Sequence, residues 1–183
     1  MRTLTLYATA AVLFILISAS LSANPAPIDA VIQGDSYVGD FFLVGSEVLF
    51  TADDGIHGTE LWKTDGTDTG TVMVKDINPA GDADIADLTV VGSDLFFRAN
   101  DGTNGTELWK SDGTEVGTVM VKNINPAGGS YPDRLTNIGG TLYFSADNGT
   151  NGQEPWVSDG TAGGTAILKD VNPGTGNSNP YHF

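Results

Sequence analysis

Alternation of apolar and polar residues is the first order visible in this chain. At positions 48–52, Val48, Phe50 and Ala52 fall on one face of an extended segment. Leu95, Phe97 and Ala99 repeat the pattern, as do Leu142, Phe144 and Ala146. A period of two, built from aromatic and β-branched residues, marks strands. Each such segment has a shorter apolar run before it, at 41–44, 88–91 and 135–138, and two more after it, at 60–64 and 71–77 and their copies. Turn residues separate the runs: Gly45-Ser46, then Asp53-Asp54-Gly55, then Asp65-Gly66-Thr67, then Asn78-Pro79. Beyond the N-terminal segment, no stretch carries a helical period long enough to matter. The pattern predicts an all-β protein of tandem four-stranded antiparallel units.

The units recur at a fixed spacing. Trp62, Trp109 and Trp156 are 47 residues apart, and so are Phe50, Phe97 and Phe144. The repeats span 34–80, 81–127 and 128–174, each closed by Pro79, Pro126 or Pro173. Four strands in a period of this size match a β-propeller blade. Three blades are too few to close a ring, which takes about four to eight, so the expectation is a β-propeller-like but incomplete or open array. Ser178-Asn179-Pro180 resembles Ser130-Tyr131-Pro132, and 175–183 reads as the start of a truncated fourth repeat.

Within a unit, the third and fourth strands form a hairpin around Asp65-Gly66-Thr67-Asp68-Thr69-Gly70. Asp65 is placed to accept amide hydrogen bonds and pin the turn, and Gly66 and Gly70 permit positive φ. A loop of 65–70 sets Thr64 against Thr71, Trp62 against Met73 and Glu60 against Lys75. It also predicts Glu107–Lys122 and Glu154–Lys169 pairs, each worth about 0.2–1 kcal/mol across strands. The tryptophans, recurring at one strand position, read as core.

The motif Glu-Leu-Trp-x-x-Asp-Gly-Thr is complete at 60–67 and 107–114, and Val-Lys-Asp/Asn-Ile-Asn-Pro follows at 74–79 and 121–126. These residues resemble the ELWxxDGT repeat family of exported bacterial proteins, and the likeness covers nearly all of 34–173. The resemblance implies export and a propeller-like array; it implies no activity and no catalytic residues. The third copy departs from the motif, with Pro155 for leucine and Val157 for lysine, as an edge strand would allow.

The N-terminus changes the picture of the compartment. Arg2 precedes an apolar run at 4–17 and a small-residue stretch, Ser18-Ala19-Ser20-Leu21-Ser22-Ala23. That order reads as a signal peptide over 1–23, cut after Ala23 or Ser22, with an uncleaved membrane anchor as the competing reading. Residues 24–33 then form a linker, and the expected location is secreted, periplasmic or cell-surface, with no membrane insertion after cleavage. Cleavage after Ala23 removes one basic residue and no acidic ones, taking the net charge from −15 to −16. Such acidity argues against nucleic acid as a partner, because phosphates need cationic neutralisation. With no cysteine, stability must come from packing rather than disulfides.

Candidate chemistry is sparse. The acidic turns offer hard oxygen ligands, yet none has EF-hand spacing. Asp82, Asp84 and Asp87 differ from the third unit, where Gly129, Tyr131 and Arg134 stand, and they form the candidate calcium cluster. Glycosidase chemistry needs a singular carboxylate pair, whereas Glu60, Glu107 and Glu154 repeat. His57 occupies a turn position held by Asn104 and Asn151 elsewhere, and reads as a turn residue. The leading expectation is a non-enzymatic module for interaction, adhesion or assembly, able to self-associate or to take up missing blades. A calcium- or carbohydrate-binding module is the alternative, and a fragment of a secreted propeller hydrolase the third reading.

Overall fold

Among the described residues, twelve strands form three antiparallel sheets, each of four strands in chain order. The structure, a computed structural model, describes residues 40–180. The expected signal segment and linker, and the final residues of 175–183, lie outside these. Among the described residues there is no helix. The first sheet holds β1 (Phe42–Val44), β2 (Glu47–Asp53), β3 (Thr59–Thr64) and β4 (Val72–Lys75). The second holds β5 (Ala86–Val91), β6 (Asp94–Asn100), β7 (Thr106–Ser111) and β8 (Val119–Lys122). The third holds β9 (Asp133–Ile138), β10 (Thr141–Asp147), β11 (Gln153–Ser158) and β12 (Ala166–Ile167).

The alternating residues put two apolar faces on each sheet. In the first sheet, Leu49, Leu61 and Val74 form a front face, buried together with Leu95, Phe97, Ala99 and Trp109 from the rear of the second. The second sheet repeats this, with Phe96, Leu108 and Val121 packed against Leu142, Phe144, Ala146 and Trp156 of the third. Phe50, Ala52 and Trp62 make up the rear of the first sheet. The core therefore lies between sheets rather than inside one. Each tryptophan buries on the order of 150–250 Å², worth up to about 4–6 kcal/mol.

Glycine sets how closely the sheets approach. A Cβ on Gly113 would stand 2.9 Å from a Glu47 carboxylate oxygen, and one on Gly160 would stand 3.0 Å from the Phe96 ring. The second and third Asp-Gly-Thr turns thus rest on the sheet before them. Gly66, at φ +88°, has nothing within 4 Å of that position.

The hairpin register agrees with expectation in part. Trp62 pairs with Met73, and the Thr64 and Thr71 hydroxyls are 2.7 Å apart. The Glu60–Lys75 pair does not form. A bulge between Leu61 and Trp62 sets Lys75 opposite Leu61, and the same slip sets Lys122 opposite Leu108. One extra residue moves a side chain off its expected partner. Lys75 Nζ instead donates to the Thr118 carbonyl at 2.9 Å, and Lys122 Nζ to that of Thr165 at 2.7 Å, each reaching the next unit. Gly70 also differs from expectation. Its φ is not positive; a Cβ there would run into the Asp65 carboxylate, so it supplies room rather than handedness. Pro155 lies on an interior strand, not an edge, between β10 and β12. Lacking an N–H, it cannot complete the rung that Leu61 and Leu108 make with Lys75 and Lys122, and β12 ends at Ile167.

Candidate functional site

The three glutamates of the repeated motif are fully buried, the feature that sequence reasoning missed. Each is the second residue of the third strand of its unit and turns its carboxylate toward the chain leaving the fourth. The Ile77 and Asn78 amides donate to Glu60 at 2.8 and 3.0 Å. Ile124 and Asn125 donate to Glu107 at 3.0 and 3.1 Å, and the Ser130 hydroxyl adds a third bond at 2.6 Å. Val171 and Asn172 donate to Glu154 at 2.9 and 3.4 Å. Backbone amides that leave the sheet ladder thereby keep a partner, as buried donors must. Asn78 continues the clamp, its side-chain amide donating to the Asp82 carbonyl at 2.7 Å. One signal could have revealed this: a charged residue flanked by strand positions, invariant in three copies and always 17 residues before an Ile/Val-Asn-Pro exit.

Burial pushes the Glu60 carboxyl up to about 7, against the pull of its two amide donors. Burial raises Glu107 as well, with Ser130 and the amides opposing. Burial acts the same way on Glu154, but hydrogen bonds from Ser178, Val171 and Asn172 outweigh it and leave that group lowered.

The remaining acids of the motif cap turns. Asp65 Oδ1 accepts from the Thr67 amide at 2.9 Å and from its hydroxyl at 2.7 Å, and Asp112 and Asp159 repeat the arrangement. These bonds hold all three carboxyls below the ordinary range. Asp54 accepts the His57 and Ile56 amides and lies 2.7 Å from His57 Nδ1. The His57 amide leads in lowering Asp54 to about 2, and the Asp54 carboxylate raises His57. Asn104 with Asp101, and Asn151 with Asn148, close the same turn in the other units, so His57 is a turn residue as expected.

The structure does not assemble Asp82, Asp84 and Asp87 into a ligand set. Among the described residues, no group of three or more acids or histidines is placed to hold a metal ion. Asp82 Oδ1 accepts the Thr59 amide at 2.8 Å, and Asp87 pairs with Arg98 at 3.0 Å. Asp84 and Asp87 have positive φ, and their counterparts Tyr131 and Arg134 share it. The segment's shape therefore belongs to the repeat, whichever residues fill it. Arg98 also donates to the Pro132 carbonyl at 3.4 Å and lies 3.9 Å from Asp133, so this unrepeated residue joins the second and third units.

Comparison with protein-family models, with curated proteins and with solved structures finds no match.

Proposed function

We propose that this protein is an exported, non-enzymatic repeat module whose work is interaction or assembly, with its sheets stacked in propeller fashion. The observation that carries the reading is the fate of its carboxylates. Glu60, Glu107 and Glu154 are bound to backbone amides, and Asp65, Asp112 and Asp159 to their own turns. A general acid or nucleophile needs a free, singular group facing a substrate; here the conspicuous acids are scaffold and occur in threes. The stacking of β1, β5 and β9 supports the propeller reading: Thr89 Oγ1 donates to the Leu135 carbonyl at 2.7 Å, and Asn137 Nδ2 to that of Val90 at 2.8 Å, so first strands adjoin first strands. The resemblance to ELWxxDGT repeats and the signal-like N-terminus support export.

Two measurements test the proposal. Mass spectrometry of the protein made in a bacterial host should find the mature chain beginning at Asn24 or Ala23, and a chain retaining Arg2 in the membrane fraction would count against export. Incubation with a panel of polysaccharides should give no turnover. Hydrolysis that disappears on replacing an unrepeated carboxylate such as Glu115 would overturn the non-enzymatic reading.

A further inference from the structure

The first unit differs from its two copies where its chain leaves the sheet. Burial of the motif glutamate is common to all three, but the donors around it are not. Glu107 accepts the Ser130 hydroxyl at 2.6 Å, and hydrogen bonds from Ser178 help hold Glu154. Each serine comes just before a residue of positive φ, Tyr131 or Asn179. In the first unit that place, before Asp84, belongs to Ala83, which is fully buried and has no hydroxyl to give. Glu60 is left with two amides, those of Ile77 and Asn78.

A second difference adds charge. His57 stands in the turn before β3, where the other units carry Asn104 and Asn151. Its Nδ1 lies 2.7 Å from Asp54, and Asp76 and Glu60 also act on it through charge. Asp76 opens the exit segment, and its Oδ1 is buried without a hydrogen-bond partner. In the second unit Asn123 takes that place and donates to Asn104 at 3.0 Å; in the third, Asp170 accepts from Asn151 at 2.8 Å. Neither of those turn residues titrates, so turn and exit stay joined at any pH. The remaining charged groups of the first exit are engaged elsewhere. Asp82 accepts the Thr59 amide, and Lys75 is turned away to the Thr118 carbonyl. Asp101, on the second-sheet turn that meets Asn78, is bound by the Thr103 and Asn104 amides.

We infer that the first unit is an acid-closed latch: Glu60, with His57 beside it, clamps the exit segment 76–83 in mild acid and releases it as pH rises, loosening the joint between the first and second units before that between the second and third. The exit carries Ala83 into the core shared by the first two sheets, so its release loosens that joint. Both groups pull the same way. Burial raises Glu60 from 4.5 to about 7, so its contribution is lost between those values. The Asp54 carboxylate raises His57 from 6.5, so its contribution is lost above that. As pH climbs, Glu60 gains a negative charge and His57 loses a positive one, beside Asp54 and Asp76. Glu107 is raised as well, but its added hydroxyl donor opposes the shift, and Glu154 is lowered. The second and third exits therefore respond less.

Native-state hydrogen exchange, followed amide by amide, tests this. Protection factors, corrected for the intrinsic rate at each pH, should fall at least about tenfold at Ile77 and Asn78 between pH 4.5 and about 8. The fall at Ile124 and Asn125 should be smaller. Ala83→Ser installs the residue of the other two exits and should bring the first exit's fall down to that of the second. His57→Asn, the residue of the other two turns, should remove the part of the fall above pH 6.5. A purely structural role would shift protection equally at every pH and leave the slope alone; that result in both variants overturns the inference. Protection at Ile77 and Asn78 that is constant with pH overturns it too. So does an equal fall at all three exits, since the molecule then opens as one.

Discussion

At the scale of the residue, the buried glutamate decides most. Glu107→Ala would leave the Ile124 and Asn125 amides and the Ser130 hydroxyl without their acceptor. A buried donor stripped of its partner costs about 1–3 kcal/mol, so this single truncation should destabilise by roughly 3 kcal/mol or more, read from chemical denaturation. Its pH dependence follows from the sign of the shifts. A carboxyl raised on folding, as Glu60 is from 4.5 to about 7, contributes stability below its unfolded value and loses it as pH climbs through the folded one. His57, also raised, loses its contribution as pH rises through its own folded value. The lowered carboxyls, Asp54 and Glu154 among them, contribute above their unfolded values and lose that as pH falls. Melting temperature should thus peak in mild acid, above the unfolded carboxylate range of 3.8–4.5 and below about 7. Glu60→Gln should flatten the decline between pH 4.5 and about 7 relative to the parent; an unchanged slope would show that burial of Glu60 does not govern it.

At the scale of the element, the hairpin glycines separate two costs. Gly66 and Gly160 share a positive φ, but only Gly160 has a neighbour, the Phe96 ring at 3.0 Å. Gly66→Ala should cost about 1 kcal/mol, the penalty of the left-handed region alone. Gly160→Ala should cost roughly 1–3 kcal/mol more, because it also forces two sheets apart; equal losses in urea unfolding would refute sheet-to-turn contact. The turn itself was legible in the chain, since Asp-Gly-Thr declares both its cap and its handedness. So were the strand positions and the tryptophan core, because a period of two and a period of 47 residues each survive any local irregularity. The Glu60–Lys75 pairing was not legible. The bulge at Leu61 and Trp62 is a backbone event with no residue signature, and a slip of one residue sent Lys75 to the next unit and Glu60 into the core. The partners of the acidic stretch at Asp82 to Asp87 were not legible for a related reason. Spacing showed oxygens near one another in sequence, but Thr59 and Arg98, distant in the chain, take them.

At the scale of the molecule, stability is a sum over junctions between neighbouring sheets, as in any array where a unit touches only the next. The second sheet has a junction on both faces, whereas the front of the third has none among the described residues. The third sheet also has the shortest fourth strand and a lysine, Lys169, without the carbonyl that Lys75 and Lys122 reach. Native-state hydrogen exchange should therefore show graded protection, with β5–β8 slowest and β10–β12 opening by sub-global steps of lower free energy. Lys122→Met removes the second tie between units while keeping the aliphatic stem packed. It should lower protection of the third sheet by about 1 kcal/mol, the net worth of a hydrogen bond, and leave the first sheet nearly untouched. Protection that falls equally in all three sheets would mean that the molecule unfolds as one cooperative block. In that case the junctions would be stronger than the units they join.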